Sequence, residues 1–297
     1  VRSLAAVLAV AAALLPVPAP AHPAHAGGEG FFDVRSAAVP DSGRVAVSLS
    51  GVRYVVQRSR EPGAASDRDV LDGAVQLSLR WRGRAAAFAR FAAARSSNDA
   101  TSFAALRDGL AGVQVELPTP ALGIRPGILA AANLPWGDGD RGFSQEAVEP
   151  SVALLVTVPL GASGVSHAAL HLNAGRTWRR GGVGRGYEGQ PVWFLEPVHP
   201  AGEADRWDLR AAFEAGSDKV TVFAEVVLDT LAEQRIRWSE GPIFLTPGFR
   251  MNLGGKASAL LAAKVSLASD DTGTTAFRPP RELFPEWQLG FALGWAP

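Results

Sequence analysis

Two histidines four positions apart, His167 and His171, are the side chains in this 297-residue chain whose types and spacing most invite a chemical reading. On a helix, that spacing stacks two imidazoles on one face and can grip a zinc ion. The residues around them alternate apolar and polar as a strand does, and on a strand the two rings share a face but stand about 13 Å apart. A shared metal is therefore not expected, and both are read as polar residues on one face of a sheet. Ser166 lies beside His167 in sequence, which on a strand sends it to the opposite face. A hydrolytic site could draw on Ser163, His199, Glu196 and Asp205 if their loops met, since it needs a nucleophile, a base and an orienting group. Nothing in their spacing requires that meeting. Residues 184–189 spell G-x-G-x-x-G, but Gln190-Pro191-Val192-Trp193 follows where a dinucleotide site needs a helix N-terminus. A surface loop is the better reading. The chain has no cysteine, which removes thiolate ligands, thiol nucleophiles and disulfides. Its formal net charge of zero gives no reason to expect nucleic acid as a partner. No enzyme, cofactor or metal is expected.

The elements that hold these residues are strands almost throughout. Val75, Leu77, Leu79 and Trp81 alternate with Gln76, Ser78, Arg80 and Arg82. Trp287, Leu289, Phe291, Leu293 and Trp295 alternate in the same way with Glu286, Gln288, Gly290, Ala292 and Gly294. A period of 2 marks a strand with one apolar face. Marking every such run predicts about twelve strands, centred near Leu49, Leu77, Ala89, Leu110, Leu129, Leu154, Leu170, Ala211, Ala224, Pro247, Leu261 and Phe291. Connections between them alternate. Tight turns are expected at 82–84, 118–121, 161–164, 216–219 and 254–255, and longer polar loops at 59–69, 96–101, 135–149, 179–204, 229–240 and 269–285. Outer-membrane barrels are built this way, with short turns at one end, long loops at the other and an even strand number. Pro247 conflicts locally, because proline cannot donate to a ladder; a bulge or the edge of the membrane would accommodate it.

The N-terminal residues support the same compartment. Arg2, an apolar run from Leu4 to Leu15 and a Pro-rich stretch closing on Ala24-His25-Ala26 have the order of a secretory signal with an A-x-A cleavage site. The expected organisation is a signal peptide over 1–26, an N-terminal periplasmic segment over 27–43, and a single antiparallel up-and-down transmembrane β-barrel over 44–297. Both termini would be periplasmic. Trp81, Trp178, Trp287 and Trp295 sit at strand ends, where aromatic side chains meet the lipid interfaces.

Alternation also assigns a lumen face: Gln76, Arg80, Arg90, Gln114, Glu116, His167, His171, Asn173, Arg210, Glu214, Glu225, Arg250, Asn252, Lys256, Lys264 and Gln288. Basic members outnumber acidic ones, so an open lumen should favour anions weakly. Opposite charges on that face are expected to pair across strands, because a buried charge needs a partner. The expected partners are outer-membrane lipid, a small-molecule permeant, and the periplasmic chaperones and assembly machinery that insert barrels. Two other readings stay open: a non-transporting structural or surface-interaction barrel, and a soluble periplasmic ligand-binding barrel, which alternates in the same way.

Two segments carry a family resemblance. Ala169-Leu170-His171-Leu172-Asn173-Ala174-Gly175-Arg176-Thr177-Trp178 resembles a strand of the MetA-like outer-membrane proteins of phenol-degradation clusters. Phe223-Ala224-Glu225 together with Leu245-Thr246-Pro247-Gly248-Phe249-Arg250-Met251-Asn252 is similar to a hairpin of the same family. The resemblance covers the chain from Ser151 onward. It implies an outer-membrane barrel with a role in the uptake of hydrophobic or aromatic compounds.

Overall fold

In the computed structural model, the described residues are 22–23, 29–30, 33–39, 45–56, 68–81, 84–97, 102–119, 123–138, 144, 147–160, 167–178, 205–231, 243–254, 256–267 and 287–296. They form strands and no helix. The wall strands are β1 (Val45–Val56), β2 (Arg68–Trp81), β3 (Ala85–Ser97), β4 (Ser102–Leu106 continuing as Gly109–Glu116), β5 (Arg125–Leu134) and β6 (Glu149–Leu160). The second half adds β7 (His167–Thr177), β8 (Arg206–Gly216), β9 (Val220–Leu231), β10 (Ile243–Gly254), β11 (Ala257–Ser266) and β12 (Trp287–Trp295). Counting the two runs of β4 as one gives a twelve-stranded antiparallel sheet. Each strand pairs with the next, and β12 pairs with β1 from Gln288↔Tyr54 to Trp295↔Val47, which closes the sheet into a barrel. All twelve expected strand centres lie in separate strands of this wall.

The barrel is inside out relative to a soluble one. In β2, Leu77 is 43% exposed while its neighbour Ser78 is 0% exposed. The same inversion runs round the outer wall through Leu49, Phe91, Leu154, Phe213, Val222, Leu261 and Phe291, all exposed. Such an apolar belt is stable only in hydrocarbon, and closure leaves no unpaired strand edge there. Apart from the interrupted β4, the strands are 9 to 14 residues long, enough to cross a bilayer core with a tilt.

Two local features depart from expectation. Pro247 makes no bulge: the register of β10 with β11 is the same at Leu245↔Val265 and Gly248↔Ala262. Its exposed ring points out of the wall, and the bulge lies further on, between Asn252 and Gly254, where Gly254 adopts φ +94° at the turn. The second departure is the connection expected as a long loop at 96–101. Strand pairing reaches Ser97↔Ser102, so Ser96 is a buried wall residue and the connection is short.

β4 itself is irregular. Ala93 faces Leu106, but Arg90 faces Leu110, so β4 carries one extra residue at 107–108. The bulge exposes Leu106 and Ala104 outward, yet turns Leu110 and Gln114 inward. Arg107 reaches the buried Asp72 of β2, and Asp108 accepts a bond from Gly137 N at 3.1 Å. That last bond helps to seat Trp136, which stacks on Phe91 with ring centroids 5.1 Å apart. A Cβ at Gly109 would lie 1.9 Å from the Trp136 ring, so a side chain there would expel the tryptophan.

The segment 27–43 enters the barrel: its described residues 33–39 run inside the lumen. Val34, Ala37, Ala38 and Val39 are buried to 7% exposure or less. Gly30 bridges Arg35, so the chain doubles back within this segment; a Cβ at Gly30 would strike Val34 O at 2.3 Å.

The plugged lumen as candidate functional site

Every buried main-chain polar group needs a partner, and residues 33–39 find theirs on lumen-facing side chains. The Glu225 carboxylate on β9 accepts from Asp33 N at 3.0 and 3.1 Å and from Val34 N at 2.9 Å. Asn173 on β7 makes a two-point amide pair with Arg35, accepting from its N–H at 2.7 Å and donating to its carbonyl at 2.8 Å. Thr157 on β6 accepts from Ala37 N at 2.9 Å. Gln114 on β4 donates to Ser36 O at 2.7 Å, and Arg210 on β8 donates to Asp33 O at 2.8 Å. Near the tight-turn end, Glu116 accepts from Val39 N at 3.3 Å while holding Arg125 through two 2.7 Å bonds. Lys264 on β11 pairs with the Asp33 carboxylate at 2.8 Å.

Apolar contacts complete the seat. Val34 lies in a cluster with Val52, Tyr54, Val70, Phe223 and Leu260. Ala37 lies in a second cluster with Phe88, Leu129, Ala131, Ala153 and Leu155. The segment is therefore held from nearly every side of the barrel, through wall side chains.

A second polar network adjoins it. The sequence reading set His167 and His171 too far apart to share a metal, and the structure joins them through a carboxylate. Glu214 of β8 pairs with Ala169, midway between the two histidines. It meets His171 Nε2 at 3.2 Å, His167 Nε2 at 3.9 Å and Arg250 Nη2 at 3.3 Å. His171 Nδ1 bonds Thr157 at 3.0 Å, the hydroxyl that holds Ala37, and His167 bonds Thr221 at 3.1 Å. Among the described residues, no group of three or more acidic or histidine side chains could hold a metal ion.

The remaining residues on the alternation-based lumen face are distributed as follows. Gln76 and Arg80 are buried, Arg90 and Gln288 are half-buried, and Asn252 and Lys256 stand exposed near the β10–β11 turn. Of the lumen charges, Glu116, Glu214, Arg250 and Lys264 are engaged in ion pairs, and Arg210 lies 3.0 Å from Asp208. Sequence reasoning missed Asp33, Asp72, Arg107 and Asp208 as lumen charges. Alternation could have found Asp72 and Asp208; Arg107 was hidden by the bulge. Trp81, Trp287 and Trp295 are exposed at strand ends on the outer wall. Trp178 lies half-buried with the Arg176 guanidinium 5.5 Å from its ring centroid, and that guanidinium also covers Trp207 at 5.4 Å and pairs with Asp205. The hydrolytic candidates Ser163, Ser166, Glu196 and His199, and the glycine-rich run 184–189, lie outside the described residues.

No family model and no curated protein matches the chain. Solved structures do resemble it. The COG4313 outer membrane channel from Pseudomonas putida F1 aligns with a TM-score of 0.52 at 11% identity, over 86% of this chain and 95% of that one. The NanC porin aligns at 0.48 and 9% identity, over 84% and 98%. The Acinetobacter baumannii outer membrane protein Omp33 aligns at 0.43 and 8% identity, over 86% and 99%. At these identities the likeness is one of architecture, and the architecture is that of the outer-membrane β-barrels.

Proposed function

We propose that this chain is a non-enzymatic outer-membrane channel that takes up small molecules, closed at rest by its own residues 33–39. What supports this reading is the way the lumen is filled. A packed interior would be occupied by the wall's own side chains; here the centre is occupied by an extended segment held through hydrogen bonds and two apolar seats. Such a filling can leave without disturbing the wall ladders. The first structural neighbour described above is itself an outer-membrane channel, which fits the same reading.

The permeant we propose is a small hydrophobic or aromatic compound. Val52, Tyr54, Val70, Phe223 and Leu260 form a continuous apolar surface around Val34, and the resemblance to the MetA-like proteins points the same way. Pairing of most lumen charges predicts weak ion selectivity, smaller than the count of basic residues suggests. The test is solute entry into proteoliposomes carrying either the wild-type chain or a variant with the plug unseated. A simple phenol should enter the variant liposomes faster than a sugar of similar size. Equal entry of both, or no entry of either into vesicles with an unseated plug, would overturn the uptake reading.

Orientation follows from the connections. We place the termini and tight turns in the periplasm and the long connections outside the cell. A peptide tag inserted within 182–189 should then bind antibody on intact cells, since glycine-rich loop tips accept insertions. A tag at Gly254-Gly255 should bind only after permeabilisation. The opposite pattern would invert the barrel.

A further inference from the structure

We infer that the lumen contains a peptide-binding track that reads the main chain of an extended oligopeptide, and that residues 33–39 are its tethered resident occupant. The recognition is of a kind that sheets do not use. Five backbone N–H groups, those of residues 33, 34, 35, 37 and 39, are bonded by wall side chains. Three carbonyls, those of 33, 35 and 36, are bonded likewise. Six side chains do this, Glu116 and Gln114, Thr157, Asn173, Arg210 and Glu225, and they come from five different strands.

Groups that serve the donors and acceptors of one extended segment form a complement to a peptide backbone. Asn173 makes this plainest: its amide engages both the N–H and the C=O of Arg35, as a paired strand would. Side-chain selection is added to this, since residues 34–39 are all buried to 8% exposure or less. Val34 and Ala37, each 0% exposed, fill apolar seats with small aliphatic groups, and Asp33 meets Lys264. The ligand class is therefore a short oligopeptide with an acidic residue, a small aliphatic one after it, and another three positions on. A vacated track would leave Glu225 and Asn173 with buried polar atoms to satisfy, and such an oligopeptide satisfies them.

The test uses the full-length chain carrying Val34→Asp and Ala37→Asp, which place charge in both apolar seats and unseat the resident segment without altering the track. Val34→Asp alone serves if the double variant does not refold. Hydrogen exchange at 33–39 reports the unseating. The probe is a fluorescent, end-capped heptapeptide of sequence Asp-Val-Arg-Ser-Ala-Ala-Val. It should bind the unseated variant saturably, and the wild type much more weakly because the track is filled. Methylating the peptide nitrogens that correspond to Val34, Arg35 and Ala37 keeps every side chain and removes three donors; it should weaken binding by about tenfold or more. Asn173→Ala in the protein should weaken it comparably. Equal binding of the methylated peptide, or no binding to a folded variant whose residues 33–39 exchange freely, would overturn the proposal. Anisotropy reads binding without any passage of solute, so this outcome is independent of the uptake reading.

Discussion

A Leu293→Arg chain should fail to give the compact, heat-modifiable barrel that the wild type gives in detergent or lipid. Leu293 sits on the outer face of β12, 49% exposed, opposite the equally outward Leu49 across the closing seam. An arginine facing lipid near mid-membrane costs about 2–4 kcal/mol, a large share of the roughly 5–15 kcal/mol by which a folded chain is stable. The seam adds to the effect, because closure there removes the last two strand edges. Gln288→Glu on the same strand should fold, because Gln288 is directly opposite Lys264 on the inner face. The fraction migrating as folded barrel on unheated gels measures both. Equal tolerance would show that the Leu293 face of β12 does not meet lipid.

Glu225→Ala should open the lumen. Glu225 is 0% exposed and its carboxylate gathers the N–H groups of Asp33 and Val34. Leaving a buried donor without its acceptor costs about 1–3 kcal/mol, and two such N–H groups lose theirs, so removing the carboxyl should weaken the seat by about 3 kcal/mol. Each 1.4 kcal/mol is tenfold in an equilibrium, so the ratio of unseated to seated segment should rise roughly a hundredfold. Planar-bilayer conductance should therefore rise, and amide exchange at 33 and 34 should accelerate with it. Glu225→Gln keeps one acceptor oxygen and should fall between. Unchanged conductance together with unchanged exchange would show that the apolar seats hold the segment without help from Glu225.

The wall was legible in the sequence because its signal is local and repeated. Leu77 and Ser78, or Leu293 and Ala292, announce their faces by parity alone, and parity placed all twelve strand centres. The plug was not legible. Asp33-Val34-Arg35-Ser36-Ala37-Ala38-Val39 has no period, and its partners lie far off in sequence: Val39 bonds Glu116 and Asp33 bonds Glu225. Such contacts join side chains to backbone across a closed cylinder, and no local pattern encodes them. The shared Glu214 between His167 and His171 was missed for a related reason. Two rings too distant for one metal ion are still within reach of a carboxylate projecting from the neighbouring strand between them.

The extra residue at 107–108 has a consequence for how this sequence can change over generations. Strand parity works like a reading frame of two, and the bulge is a frameshift the wall tolerates because it falls where Arg107 has Asp72 to meet and Trp136 covers the outer side. Removing one residue there would restore an unbroken strand. It would also rotate Phe103 and Ala105 out to lipid and bring Ser102, Ala104 and Leu106 inward, while leaving Gly109–Glu116 unmoved. A single-residue deletion at this point is thus equivalent to five simultaneous face exchanges. Lineages that lost the residue would be expected to show the opposite apolar pattern over 102–106 and an unaltered one over 109–116.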